Sequence, residues 1–128
     1  MDLRWQSEDG TVASQLAILM PALLLLLMLA VQFGLWAHAT QLARAAADEA
    51  AYTAALPDST DTAGRAAAAG LLAQAGHLTD LRIDIDRTDQ LVSATVTGSA
   101  PQVVPGFRWS VSATAAAPVE RFIPQGER

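Results

Sequence analysis

LAILMPALLLLLMLAVQFGLWA, Leu16 to Ala37, is the stretch on which the reading of this chain turns. It holds nine leucines, together with Ile18, Val31 and Phe33, and one strongly polar side chain, Gln32. The run free of Asp, Glu, Lys and Arg is longer still, from Gly10 after Asp9 to Ala43 before Arg44. At ~1.5 Å per helical residue, residues 16–37 span roughly 33 Å, about one bilayer hydrocarbon core. Apolar residues contributing about −0.5 kcal/mol each outweigh one Gln. The expectation is a transmembrane helix over 16–37, with Leu16, Pro21, Leu26, Phe33 and Trp36 among its membrane-anchoring residues. Pro21 removes one backbone hydrogen bond, which membrane helices tolerate.

A cleaved secretory signal fits less well. Ala37-His38-Ala39 has the small-x-small cleavage pattern, but the apolar stretch exceeds the usual ~7–15 residues. The segment before it carries Asp2, Glu8 and Asp9 against Arg4 alone, where a signal peptide has positive charge. Arg4 and Arg44 flank the span one to a side, so charge does not orient it. Trp5 is a further candidate for the membrane interface.

Working outward, Ala37 to Leu56 is rich in Ala, the strongest helix former, and has no breaker before Pro57. Leu35, Ala39, Leu42 and Ala46 form a narrow apolar stripe. One helix is expected from Thr11 to Ala55, its outer half leaving the bilayer. Its alanines at 39, 43, 46, 47 and 50 suit close packing. Pro57-Asp58-Ser59-Thr60-Asp61 reads as a turn with helix-capping candidates, followed by a helix from Thr62 to Ala75 that Gly76 ends. Gly64 and Gly70 weaken that helix but admit close packing.

The period then changes from 3.6 to 2. Leu81, Ile83 and Ile85 alternate with Asp80, Arg82, Asp84 and Asp86. Val92, Ala94 and Val96 alternate with Ser93, Thr95 and Thr97. Trp109, Val111, Ala113 and Ala115 alternate with Ser110, Ser112 and Thr114. Three strands are expected, the first two a hairpin, with a loop from Gly98 to Gly106 and Pro118 ending the third. Phe122 and Ile123 in the tail are candidates for docking. The class is α+β: a long N-terminal transmembrane helix continuing outward, a short helix, then a three-stranded antiparallel sheet packed on the emerging helix. The division is a tail over 1–10, the first helix over 11–56, and a small domain over 57–128.

The 128 residues carry a net charge of −5 and a pI near 4.7, and every basic residue is Arg. Nucleic-acid binding asks for a basic patch, which scattered arginines among more numerous carboxylates do not make. The absence of Cys removes disulfides and thiolate chemistry. His38 and His77 have no partner set, and no hydrolase triad, nucleophile elbow or phosphate loop is present. Asp84-x-Asp86 resembles the start of a calcium loop, but the required Gly and Glu do not follow. Acids at Asp80, Asp84, Asp86 and Asp89 read as a solvated face. Gln32 suits a bond to a neighbouring helix or a place near the headgroups. No enzyme, cofactor, metal or small-molecule substrate is expected.

Asp9-Gly10-Thr11-Val12-Ala13-Ser14-Gln15 running into Leu16-Ala17-Ile18-Leu19-Met20-Pro21-Ala22-Leu23-Leu24 resembles the start of TadE-like proteins of tight-adherence (Flp-type) pilus systems, in their actinobacterial form. Val31-Gln32-Phe33-Gly34, Ala46-Ala47-Asp48-Glu49-Ala50 and Ala113-Thr114-Ala115-Ala116-Ala117-Pro118-Val119-Glu120-Arg121-Phe122 extend the likeness. The resemblance implies a pseudopilin or minor pilin, pilin-like in fold. Its short leader would be cut by a membrane prepilin peptidase between Gly10 and Thr11. It also implies a cytoplasmic N-terminus, an extracytoplasmic domain, and other pilin or pseudopilin subunits as partners. Pilins of this kind usually carry Glu at the fifth residue after the cut, where this chain has Gln15. The alternative is an uncleaved single-pass membrane protein displaying a small envelope binding domain.

Overall fold

The structure, a computed structural model, describes residues 4–75 and 78–120, with side chains from Gly10 onward. The Trp5 side chain, Gly76, His77, Phe122 and Ile123 lie outside the described residues. The order is helix α1 (Arg4–Ala55), helix α2 (Asp61–Ala75), and strands β1 (Thr79–Arg87), β2 (Leu91–Ser99) and β3 (Ser110–Pro118). The strands form one antiparallel sheet in the order β1-β2-β3. This is the expected α+β arrangement.

Helix α1 starts at Arg4 rather than Thr11 and runs unbroken through Gly10 and Pro21. A single Gly costs a helix only about 1 kcal/mol, and no breaker stands between Arg4 and Gly10. The Ser14 hydroxyl donates to the Gly10 carbonyl at 2.9 Å, a local bond compatible with helix. Helix α2 starts at Asp61 because Thr60 caps it, its Oγ1 accepting from the Ala63 amide at 3.2 Å.

Alternation decides the sheet's faces. Val92, Ala94 and Val96 of β2 are buried, as are Val111 and Ala113 of β3. These inward residues face one another in register, Val96 opposite Ala113 and Ala94 opposite Ala115. On the other face Thr95 and Thr114 pair through their hydroxyls at 3.1 Å. The inner face packs on the outer half of α1, where Ala39, Ala43, Ala46, Ala47, Ala50 and Ala54 are all buried. Alanine keeps α1 thin there, so strands and α2 approach its backbone closely.

Strand β1 departs from the simple reading. Only Ile85 is buried, Ile83 is half-buried and Leu81 is exposed. The register shifts between Thr79 and Arg82, and Asp80 has a φ of 53°. This bulge turns Leu81 off the core side. Charges at Arg82, Asp84, Asp86 and Arg87 line an edge strand, which protects it from pairing with another chain.

Two contacts fix the cap's direction. Trp36 Nε1 donates to the Ser110 carbonyl at 3.3 Å, and the Glu120 amide donates to the Ala55 carbonyl at 3.1 Å. Strand β3 therefore runs beside α1 from Trp36 to Ala55. The β2–β3 loop lies at the end of the cap nearest the apolar half of α1, and the β1–β2 turn at the far end.

Candidate functional site

The site is the junction between a bare apolar rod and its cap. From Gly10 to Val31 every residue of α1 is exposed except Met28, which is half-buried. The sequence-selected Gly10, Thr11, Gln15, Leu16, Pro21 and Leu26 all stand on this bare part. At ~1.5 Å per residue, residues 10–31 span roughly 33 Å, enough for one membrane crossing. The core helix of a soluble protein would be mostly buried, and this segment is not.

The rod becomes a core helix at Gln32. That side chain is fully buried, the one polar residue among the buried described residues. Its Nε2 donates to the Pro101 carbonyl at 3.0 Å, and its Oε1 accepts from the amides of Val103 at 2.7 Å and Val104 at 3.3 Å. Gln32 thus bonds within its own chain rather than to a neighbouring helix. It holds the β2–β3 loop of its own cap. Amide donor and carbonyl acceptor are both used, which suits Gln where a carboxylate or an ammonium could serve only one role.

Above Gln32 lies an aromatic cluster. The rings of Phe33 and Trp36 are 5.7 Å apart, and Trp36 meets Trp109 edge-on at 6.1 Å. Phe33 is exposed, whereas Trp36 is half-buried against the cap. His38 is exposed at the rim of a small apolar gap of about 70 Å³ between Leu35, Leu42, Leu78 and Pro101.

At the far end, Arg87 ties the cap together, a role the sequence reading missed. Its guanidinium donates to the Ala54 carbonyl at the end of α1 and to the Ser59 carbonyl at 3.4 Å. It also pairs with Asp61, at the start of α2, at 3.3 Å. A cation at the end of α1 and an anion at the start of α2 both match the helix dipoles. Gln32 was findable by spacing: 32, 36, 39, 43, 46 and 50 fall on one helical face, the face the cap covers. Arg87 carried no such signal.

Among the described residues, no group of three or more His, Asp or Glu side chains is placed to hold a metal ion. Asp80 instead faces Arg108 at 3.7 Å, both well exposed.

Residues 10–51 match the family model described as TadE-like protein. That segment is similar to TadE-like proteins over about a third of the chain. The match begins at Gly10 and ends within α1, so it covers the bare rod and most of the alanine face, and leaves the cap unmatched. No curated protein and no solved structure matches the chain. The matched helix is apolar, exposed and long enough to cross a bilayer.

Proposed function

We propose that the chain is a membrane-anchored pseudopilin or minor pilin with a structural role in pilus biogenesis. The observation that carries this reading is the abrupt change at Gln32, where one continuous helix passes from exposed and apolar to buried under a compact cap. Such a rod can exchange lipid for the helices of fellow subunits, because both cover the same apolar surface. In this reading the membrane span takes the bare length, about residues 11–31, rather than the whole of 16–37, which is supported by the bond of Trp36 to β3 and the burial of Gln32 under the cap.

In this proposal a prepilin peptidase cuts between Gly10 and Thr11, leaving Thr11 as the new N-terminus. The N-terminus faces the cytoplasm and the cap faces outward. Prepilin peptidase and other pilin or pseudopilin subunits are the partners. The chemistry is assembly rather than catalysis.

The test is the intact mass of membrane-extracted protein from cells with and without the peptidase. The proposal expects loss of Met1 to Gly10 only where the peptidase is present, and no loss in Gly10→Pro. A full-length chain in both cells overturns cleavage. The second reading is an uncleaved anchor displaying a binding domain; Gln15, which cannot neutralise a neighbour's terminal amine as Glu can, bears on incorporation into a filament rather than on cleavage. The same measurement separates the two.

A further inference from the structure

The β2–β3 loop, residues 100–109, hangs from the lower end of the cap. Gln32 grips its first half, and the Ala100 amide bonds to the Trp109 carbonyl at 2.9 Å to close its base. Trp109 and Ser110 sit beside Trp36, whereas Val103 and Val104 sit beside Gln32, one helical turn nearer the bare rod. One turn of α-helix is about 5.4 Å. The loop therefore descends along α1 to the level where the exposed apolar surface begins.

What the loop shows at that level is apolar. Val103 is 38% exposed and Phe107 62% exposed. The Phe107 amide bonds to the Val104 carbonyl at 3.5 Å, and Gly106 between them has a φ of 85°. This is a Pro-Gly turn, and it presents Phe107 at its exit. Within the cap, the other exposed large apolar residues among those described are Leu81 and Leu91. Leu81 shares the loop's end of the sheet, lining a surface cleft with Asp80, Arg82 and Arg108. Arg108, next to Phe107, is 81% exposed.

We propose that this loop is a second membrane contact, with Val103 and Phe107 seated in the headgroup–acyl boundary of the leaflet beneath the cap. The inference rests on the membrane reading of α1 given above. Lipid is the occupant because the loop is continuous with the rod's apolar surface. A bilayer surrounding residues 11–31 brings its interface to the height of Gln32 and Phe33, where these side chains already are. Trp36 and Trp109 stand just above, as aromatic residues do at membrane interfaces. Arg108 beside Phe107 faces Asp80 at 3.7 Å in an exposed pair, worth little in water, which a lipid phosphate can replace as the partner of its guanidinium. The loop would set the rod's depth and stop the cap from tilting, with Gln32 fixing loop to helix at the point of load.

Because the chain has no Cys, single-cysteine spin labels can report depth. Full-length Leu24→Cys, Val103→Cys, Phe107→Cys and Gln90→Cys are labelled in nanodiscs of phosphatidylcholine and phosphatidylglycerol. Collision rates with oxygen and with a water-soluble nickel chelate are then measured. The oxygen-to-nickel ratio at 107 and 103 is expected to be several-fold above that at 90 and to lie toward that at 24. Ratios at 107 and 103 equal to that at 90, with 24 reading as lipid, overturn the loop contact and leave the span standing. Low collision with both reagents at 107 means that protein covers the loop, which also overturns it. A water-like ratio at 24 would overturn the membrane reading itself.

Discussion

Gln32 joins two parts of the molecule with one side chain. Replacing it by Leu would keep its bulk but leave the Val103 and Val104 amides and the Pro101 carbonyl without this partner. Q32L should lower cap stability by about 1–3 kcal/mol, the cost of a buried polar group left unpaired. Denaturant midpoints in detergent read that loss, and amide exchange at Val103 and Val104 should speed up with it. Unchanged exchange there would show that the loop stands without Gln32. At the other end, Arg87→Met removes bonds to two carbonyls and a partly exposed ion pair with Asp61. About 1 kcal/mol of destabilisation is expected, since exposed pairs are worth little and the carbonyl bonds supply most of the effect. The sequence showed Gln32 as an oddity in an apolar run but not its partner, which lies 69 positions away. Nothing in the sequence singled out Arg87.

At the scale of elements, the two glycines of α2 separate cleanly. A Cβ at Gly64 would meet the Ala50 carbonyl oxygen at 2.7 Å and the Ala54 Cβ and Ile85 Cδ1 at 3.0 Å. Gly70 has nothing within 4 Å. Gly64→Ala should therefore destabilise by about 1–3 kcal/mol through overpacking against backbone that cannot move aside. Gly70→Ala should stabilise by about 0.5–1 kcal/mol through helix propensity alone. Thermal unfolding followed by circular dichroism distinguishes them, and equal effects would contradict the close α1–α2 approach. Both glycines read alike beforehand, because composition does not say which side of α2 meets α1. Helices and strands were legible, since a shift from period 3.6 to period 2 is a direct imprint of burial on one face. The bulge at Asp80 was not: Leu81, Ile83 and Ile85 alternate perfectly on paper, whereas the register shifts between Thr79 and Arg82 with Asp80 at a φ of 53°.

At the scale of the whole molecule, the separate parts were readable and their docking was not. Alanines along α1 signalled close packing, yet an alanine face accepts another helix or a sheet equally well. The structure shows it filled by the chain's own cap, which leaves the N-terminal half bare. If the missing carboxylate at Gln15 limits assembly, Gln15→Glu should increase recovery of the protein with sheared pili. No change would remove that explanation.

The proposed topology is one membrane crossing by the bare rod with the cap on the outer side. Labelling Gln90→Cys in whole cells with a membrane-impermeant maleimide tests it. Labelling of intact cells to the same extent as of permeabilised cells is the predicted result. Labelling that appears only after the membrane is opened would contradict the account.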